Sequence, residues 1–329
     1  MNPRIKVGII GLGAMGRNHA RVIAESENHE LVGLVDPLEE LKKTSQYGNL
    51  LGSLSELIAL NPDYCVIAAP TAHHSEIARL LCLADINMII EKPLAQNLKA
   101  ANLILESAKS SRSKIAIGHI ERFNAAAQLA KIKIGEGLLG NIYQITTSRQ
   151  GPFPSRIADV GVTLDLATHD IDLTSWLMES PYRSVSAQAT FRTGREHEDL
   201  ISVTGELANG VVTNHLVNWL SPYKERSTVI LGEKGALRID TLNSDLIFYK
   251  NGVNTAGQSS IEHFQGVMQG EVVKFAFDKP EPLKTEHLVF TDYIQGKKSN
   301  IASMSDGFET VKVATAILES SKEGRTVKL

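Results

Sequence analysis

An apolar run, Ile5-Lys6-Val7-Gly8-Ile9-Ile10, passes without a break into Gly11-Leu12-Gly13-Ala14-Met15-Gly16, and helical spacing of apolar residues begins directly behind it. Three glycines at a strand-to-helix turn narrow the choice of fold, because each dispenses with a side chain for a different reason. The first permits a tight turn, the second lets backbone amides approach a pyrophosphate, and the third allows close packing of helix on strand. Alone the pattern is weak, since glycines are common at such turns. Asp36 strengthens it: it ends the next strand candidate, twenty residues after Gly16, where a carboxylate accepts hydrogen bonds from the adenosine ribose. That charge repels the 2′-phosphate of NADP, and Pro37 stands where an Arg or Ser would serve such a phosphate, so NAD is expected. The plainer reading of Asp36-Pro37 is a turn after a strand.

The rest of the first 120 residues keeps the same rhythm of short apolar runs and amphipathic segments, as in βαβ units on a parallel sheet. Strands are expected at Lys6–Gly11, Leu31–Asp36, Tyr64–Ala69, Met88–Glu91 and Ile115–Gly118, and helices at Gly13–Glu25, Ser53–Ala59, His74–Leu83 and Asn97–Ser110. From about residue 121 the period changes to alternation, with Val185, Ala187, Ala189 and Phe191 on one face. Glu198–Leu207 and Val211–Leu220 flank Ala208-Asn209-Gly210, a hairpin signal. Further strands are expected at Arg226–Leu231, Ala236–Asp240 and Leu246–Lys250, and helices over Thr163–Glu179 and Asp306–Lys322, the latter capped by Ser305 or Asp306. Gly252–Gly270 has no clear period. The fold class is therefore α/β: a doubly wound Rossmann domain over 1–120 and an α+β domain with an open-faced antiparallel sheet over 121–329. The second is expected to bind substrate and to make oligomer contacts, and the C-terminal helix could pack back on the first.

With 329 residues the chain is long enough for two cores, and a net charge of −3 argues against a nucleic acid partner. No apolar run is long enough to span a bilayer and the N-terminus lacks a signal-peptide layout, so no membrane association is expected and a cytoplasmic location is. Cys65 and Cys82 read as buried thiols, and the scattered histidines imply no metal.

Two segments carry candidate chemistry. Glu91-Lys92-Pro93 follows a strand of the parallel sheet, at the carboxyl edge where such sheets bind ligands, although an isolated Lys there is more often simply solvated. In Asp165-Leu166-Ala167-Thr168-His169-Asp170-Ile171-Asp172, helical spacing puts Asp165, His169 and Asp172 on one face. A histidine between carboxylates can be held as a base near neutral pH; the bland alternative is a solvated polar stripe.

These elements together resemble the family of glucose–fructose oxidoreductases, inositol dehydrogenases and MocA-type proteins over nearly the whole chain. The matching motifs are Gly11–His19 as GxGxxGxxH, Ala69-Pro70-Thr71 with His74, Glu91-Lys92-Pro93, Asp165–Asp172, and the closing helix that begins at Asp306-Gly307. The resemblance implies an NAD site of Gly11, Gly13, Ala14, Met15, Gly16, Asp36, Pro70, Thr71, His74, Glu91 and Lys92, with Thr71 and Glu91 at the nicotinamide end. It implies that Lys92 and His169 work on the reacting hydroxyl and that Asp165 helps to hold substrate. It also implies a homodimer or homotetramer. Gly118–Asn124 and Gly151–Val162 resemble the UDP-N-acetylglucosamine 3-dehydrogenases within that family, although Ala125 stands where that subgroup has Pro. Arg122, Asn124, Arg149 and Arg156 are then expected at the substrate, since a sugar diphosphate needs guanidinium donors. Three arginines around loops are equally what a solvated surface supplies. The competing expectations are a dehydrogenase of a free polyol such as an inositol, or of another nucleotide sugar, and, from another class, a non-catalytic NAD-dependent sensor.

Overall fold

A computed structural model describes residues 3–37, 47–154, 160–252 and 269–329. The chain divides into two units, one of residues 1–120 and 281–312, the other of residues 121–280 and 313–329. Residues 281–312, placed by sequence in the second domain, therefore cluster with the first.

In the first unit six parallel strands lie in the order β3-β2-β1-β4-β5-β6, with β1 Ile5–Ile10, β2 His29–Val35, β3 Leu50–Leu51, β4 Tyr64–Ile67, β5 Asn87–Glu91 and β6 Ile115–Gly118. Strand order reverses between β1 and β4, which opens a crevice at their carboxyl ends. The strand centres are apolar and rich in β-branched residues because both faces are covered: Val7, Ile9, Val66, Ile67, Ile89 and Ile90 are all fully buried. Helices α1 Ala14–Ala24, α2 Leu54–Ala59, α3 His74–Leu83 and α4 Leu98–Lys109 intervene. Ser53 and Asn97 cap α2 and α4, their side chains accepting from the Glu56 and Ala100 amides at 3.2 and 2.9 Å. Two later segments explain why 281–312 belongs here. Helix α7 Pro282–Ile294 sets Phe290 edge-on to Tyr64 at 5.0 Å, and the Ile117 amide donates to the Ala302 carbonyl at 2.9 Å.

The second unit is built on a nine-stranded sheet in the order β14-β13-β12-β11-β7-β10-β9-β8-β15. Its strands are β7 Ile142–Pro152, β8 Tyr182–Thr190, β9 Leu200–Leu207, β10 Val212–Asn218, β11 Leu220–Gly232, β12 Gly235–Asp240, β13 Asp245–Asn251, β14 Gln269–Lys274 and β15 Val327–Lys328. The sheet is mixed, since β7 and β10 run parallel, whereas the expectation was an antiparallel one. Strand β7, at its centre, escaped the alternation test because its buried face carries Thr147 and Arg149 beside Ile145. One face packs under α5 Ala125–Gly135, α6 Thr168–Met178 and the end of α8 Met304–Glu323 through Ile145, Val203, Val217, Ile230, Ile171 and Ile317. The opposite face is mixed, with Thr146, Ser186, Gln188, Ser202 and Thr204 exposed beside Val212, Leu216 and Leu231.

Several local expectations shift. Phe191 falls past the end of β8 and is exposed. In the hairpin only Gly210 takes a positive φ, +85°, and the Val211 amide donates to Asn209 Oδ1 at 3.2 Å. Helix α8 is capped by Ser303, whose Oγ accepts from the Asp306 amide at 3.2 Å while Asp306 reaches back to the Ser303 amide at 2.7 Å. Of Gly252–Gly270, residues 253–268 lie outside the described residues. Among the described residues no helix is long and apolar enough to cross a membrane.

Candidate active site

The first unit gathers its candidates at the carboxyl edge of the parallel sheet, each just past a strand: Gly11 to Gly16 after β1, Asp36 after β2, Pro70 and Thr71 after β4, Glu91 and Lys92 at the end of β5. The three glycines do separate work. Gly11 has φ +92°, and a Cβ there would meet the backbone of Ala68 and Ala69 at 2.5–2.6 Å. A Cβ on Gly16 would come within 1.8 Å of the Gly11 carbonyl oxygen, so only glycine lets α1 lie this close to β1. Around Gly13 the same position has nothing within 4 Å. Gly13 is also the N-cap of α1, with no side-chain cap bond and no acidic residue in the first turn. The helix thus presents bare N–H groups at a place with room for a phosphate, which fits a dinucleotide.

Asp36 is buried, and its Oδ2 accepts the Leu12 amide at 2.7 Å, tying the ribose candidate to the glycine loop. Pro70 is exposed, and Thr71 and Lys92 are partly so. His74, expected at the cofactor, is instead 1% exposed, with Nε2 2.9 Å from the Ala69 carbonyl and Nδ1 3.1 Å from that of Pro93. Burial lowers its pKa, and it fastens the end of β4 to the loop after β5.

Behind this edge lies a chain of buried polar groups that sequence reasoning did not assemble. His19 of α1 sets Nε2 2.8 Å from Glu91 Oε1 and Nδ1 2.9 Å from His287 Nε2, and His287 Nδ1 lies 2.8 Å from the Tyr64 hydroxyl. Burial opposes the Glu91 charge, yet the His19 bond and the Lys92 charge hold its carboxyl below the usual range. Burial and the neighbouring His19 and His29 push His287 well below the ordinary imidazole value, so it is neutral. One proton arrangement then satisfies every member: Tyr64 O–H donates to His287 Nδ1, His287 Nε2–H to His19 Nδ1, and His19 Nε2–H to Glu91. Glu286 next to His287 is fully buried with no hydrogen-bond partner for either oxygen. Burial and the Glu91 charge raise its carboxyl well above the usual range, so it stays protonated. His19 was visible in its motif; His287 and Glu286 gave no signal because α7 was not anticipated.

In the second unit Asp165 and His169 sit on either side of a change in helix type, a π-helical turn over Thr163–Ala167 followed by α6. The expected single α-helix is therefore widened at Asp165, a feature that recurs at functional sites. Buried Glu198 holds the start of this turn, accepting the Thr163 amide at 2.8 Å, and Gly161 leaves space for that carboxylate. Asp165 is 8% exposed, and His169 is more open.

The other candidates turn inward. Arg122 clasps Asp172 through Nε and Nη2 at 2.8 and 2.6 Å. Asp172, expected to flank His169, is thus a counter-ion of Arg122. Arg149 bonds Asp170 through Nε and Glu121 through Nη1, both at 2.8 Å; burial opposes its charge, but these carboxylates raise its pKa above the ordinary arginine value. Asn124 is the N-cap of α5: its Oδ1 accepts the Ala126 amide at 3.0 Å and its Nδ2 donates to the Thr241 carbonyl at 3.1 Å. These three side chains, expected at the substrate, are engaged in bonds within the second unit. Arg156 lies outside the described residues. Sequence reasoning passed over Arg226, opposite Arg149 in the β11–β7 pairing, whose buried Nη1 has no acceptor among the described residues.

Three outcomes follow for the first unit. Gly16→Ala should cost about 1–3 kcal/mol or more in urea denaturation, from forced overpacking. Gly13→Ala should leave the midpoint in place and weaken NAD binding by about tenfold. Because the folded-state pKa of Glu286 is raised, the unfolded chain releases this proton first, and the wild type loses stability as pH rises above the ordinary glutamate range. Glu286→Gln should therefore melt close to wild type near pH 4 and increasingly above it toward pH 8, values set by the usual carboxylate pKa of roughly 4.3.

Comparison with known proteins accords with this geometry. The family model described as "Oxidoreductase family, NAD-binding Rossmann fold" matches residues 5–119, and "Oxidoreductase family, C-terminal alpha/beta domain" matches residues 131–329. A UDP-N-acetylglucosamine 3-dehydrogenase of Acidithiobacillus ferrooxidans is 27% identical over 256 residues, covering 76% of this chain and 79% of that relative. A solved structure of that organism's UDP-N-acetylglucosamine 3-dehydrogenase GnnA superposes with a TM-score of 0.84 at 24% identity, covering 98% of each chain. The WlbA dehydrogenase of Bordetella pertussis, solved with NADH and UDP-GlcNAcA, gives a TM-score of 0.82 at 22% identity over 100% of this chain and 99% of that one. The chain belongs to the Gfo/Idh/MocA oxidoreductase family, and its first domain is the NAD-binding Rossmann domain of that family.

Proposed function

We propose that the protein is an NAD-dependent dehydrogenase that oxidises a secondary hydroxyl of a sugar to a ketone, with the 3-hydroxyl of UDP-N-acetylglucosamine as the position oxidised. The observation that carries this reading is Lys92, partly exposed at the carboxyl edge of the sheet, directly after a buried and ionised Glu91. Bound NAD supplies the hydride acceptor. A carbinol gives up hydride more readily as its hydroxyl loses a proton, so a base must reach that oxygen, and His169 fills this role. The developing alkoxide needs a positive charge beside it, which Lys92 provides. Asp165 holds a neighbouring sugar hydroxyl or orients His169. Asp36 selects NAD over NADP by repelling a 2′-phosphate.

The choice of a UDP-sugar rests on similarity to the Acidithiobacillus enzyme and on the motifs at Gly118–Asn124 and Gly151–Val162. A second reading, oxidation of an uncharged sugar or an inositol, is favoured by the inward ion pairs of Arg122 and Arg149, which an uncharged substrate would not disturb.

The test is NADH formation, read by absorbance, across a panel of UDP-sugars, free sugars and inositols. A signal with UDP-N-acetylglucosamine alone supports the first reading, one with inositol alone the second, and silence across the panel would sink both in favour of an NAD-dependent sensor. With the active substrate, Lys92→Ala and His169→Ala should each lower turnover by about a hundredfold or more while NAD still binds. Asp36→Ala should weaken NAD binding and raise the relative affinity for NADP; an unchanged preference would remove Asp36 from the ribose.

A further inference from the structure

We propose that Tyr64, His287 and His19 are positioning residues: a buried hydrogen-bonded chain that fixes the Glu91 carboxylate at the cofactor edge of the sheet and so biases the bound dinucleotide toward its oxidised, positively charged ring. This rests on the reading above in one respect, the placing of Glu91 at the nicotinamide end.

The geometry supports it at each link. Glu91 is the last residue of β5, His19 belongs to α1, His287 to α7 and Tyr64 to β4, so four separate elements meet in one line of bonds of 2.8, 2.9 and 2.8 Å. His19 and Tyr64 are fully buried, and His287 is 1% exposed. Water therefore does not replace a missing partner, and each bond depends on the next. The Tyr64 hydroxyl selects the tautomer of His287, which selects that of His19, which keeps an N–H directed at Glu91. At its other oxygen Glu91 accepts the Lys92 amide at 3.2 Å, so the carboxylate is gripped from both sides.

Within the buried chain Glu91 is the carboxylate held below the usual range despite burial, by its bond to His19 and by the charges of His19 and Lys92. Glu286 beside it on α7 is protonated, and His29 on β2 and His287 are driven toward neutrality by burial. Lys92, whose charge helps hold the Glu91 carboxyl down, is partly exposed and so offsets the buried carboxylate only in part. The oxidised nicotinamide differs from the reduced ring by one positive charge, so a carboxylate locked beside it in a poorly solvated place favours the oxidised form. No proton or electron need move along the chain for this to hold.

The test is a pair of dissociation constants, for NAD+ and for NADH, measured by titration of the whole protein without substrate, with ADP-ribose as the control ligand because it lacks the nicotinamide. Tyr64→Phe, which removes one oxygen atom, should raise the NAD+ constant relative to that of NADH by about three- to tenfold, the span of one lost hydrogen bond between neutral groups. Glu91→Gln should move the ratio in the same direction by at least as much, and ADP-ribose should bind all three proteins alike. Should Tyr64→Phe weaken NAD+, NADH and ADP-ribose equally, the chain is merely structural and the proposal falls. Should Glu91→Gln alone move the ratio, the chain has no part in it. An unmoved ratio in Glu91→Gln takes Glu91 away from the ring altogether. Failure of every sugar in the turnover panel would leave this binding measurement intact, so the two readings fail separately.

Discussion

The approach of α1 to β1 is the contact on which the cofactor edge depends. With 1.8 Å between the Gly11 oxygen and the place a Cβ on Gly16 would occupy, the helix can start where it does only because that atom is absent. Its uncapped N-terminus then faces the crevice where strand order reverses, and its second turn carries His19 to Glu91. One missing methyl group thus sets both the anion-binding end of the helix and the buried chain behind it.

The two units meet the cost of burying polar groups in different ways. The first holds Glu91 in a line of hydrogen bonds and buries Glu286 beside it, whose carboxyl is raised well above the usual range because a second charge there is opposed by burial and by Glu91. The second buries full ion pairs, Arg122 with Asp172 and Arg149 with Asp170 and Glu121. Such pairs add little net stability over apolar packing, yet removing one partner strands the other, so they fix the strand β7 and the helix α6 in one arrangement. That arrangement leaves Asp165 on a widened turn anchored by Glu198, with His169 on the helix that follows.

Much of the first unit was legible in the chain. Parallel strands buried on both faces read as continuous apolar runs, and their edges coincide with Gly11, Asp36 and Glu91 because turns after such strands demand special residues. The second unit was legible where alternation is clean, as in Val203 and Ile201 of β9, and was lost at β7, where the buried face holds Thr147 and Arg149 satisfied by partners distant in sequence. Helix α7 went unseen because His287 and Glu286 on its buried side are polar for the same reason.

The sequence by itself therefore determined what depends on local backbone freedom and on periodic apolarity: the glycine loop, the parallel sheet and the residues placed at its carboxyl ends. Tertiary structure decided the protonation and partnership of buried polar groups. That Arg122 pairs with Asp172, that His74 bridges two carbonyls and that Glu286 is buried beside Glu91 are matters of what lies within three ångströms or so, about the reach of one hydrogen bond, and only folding brings those partners together.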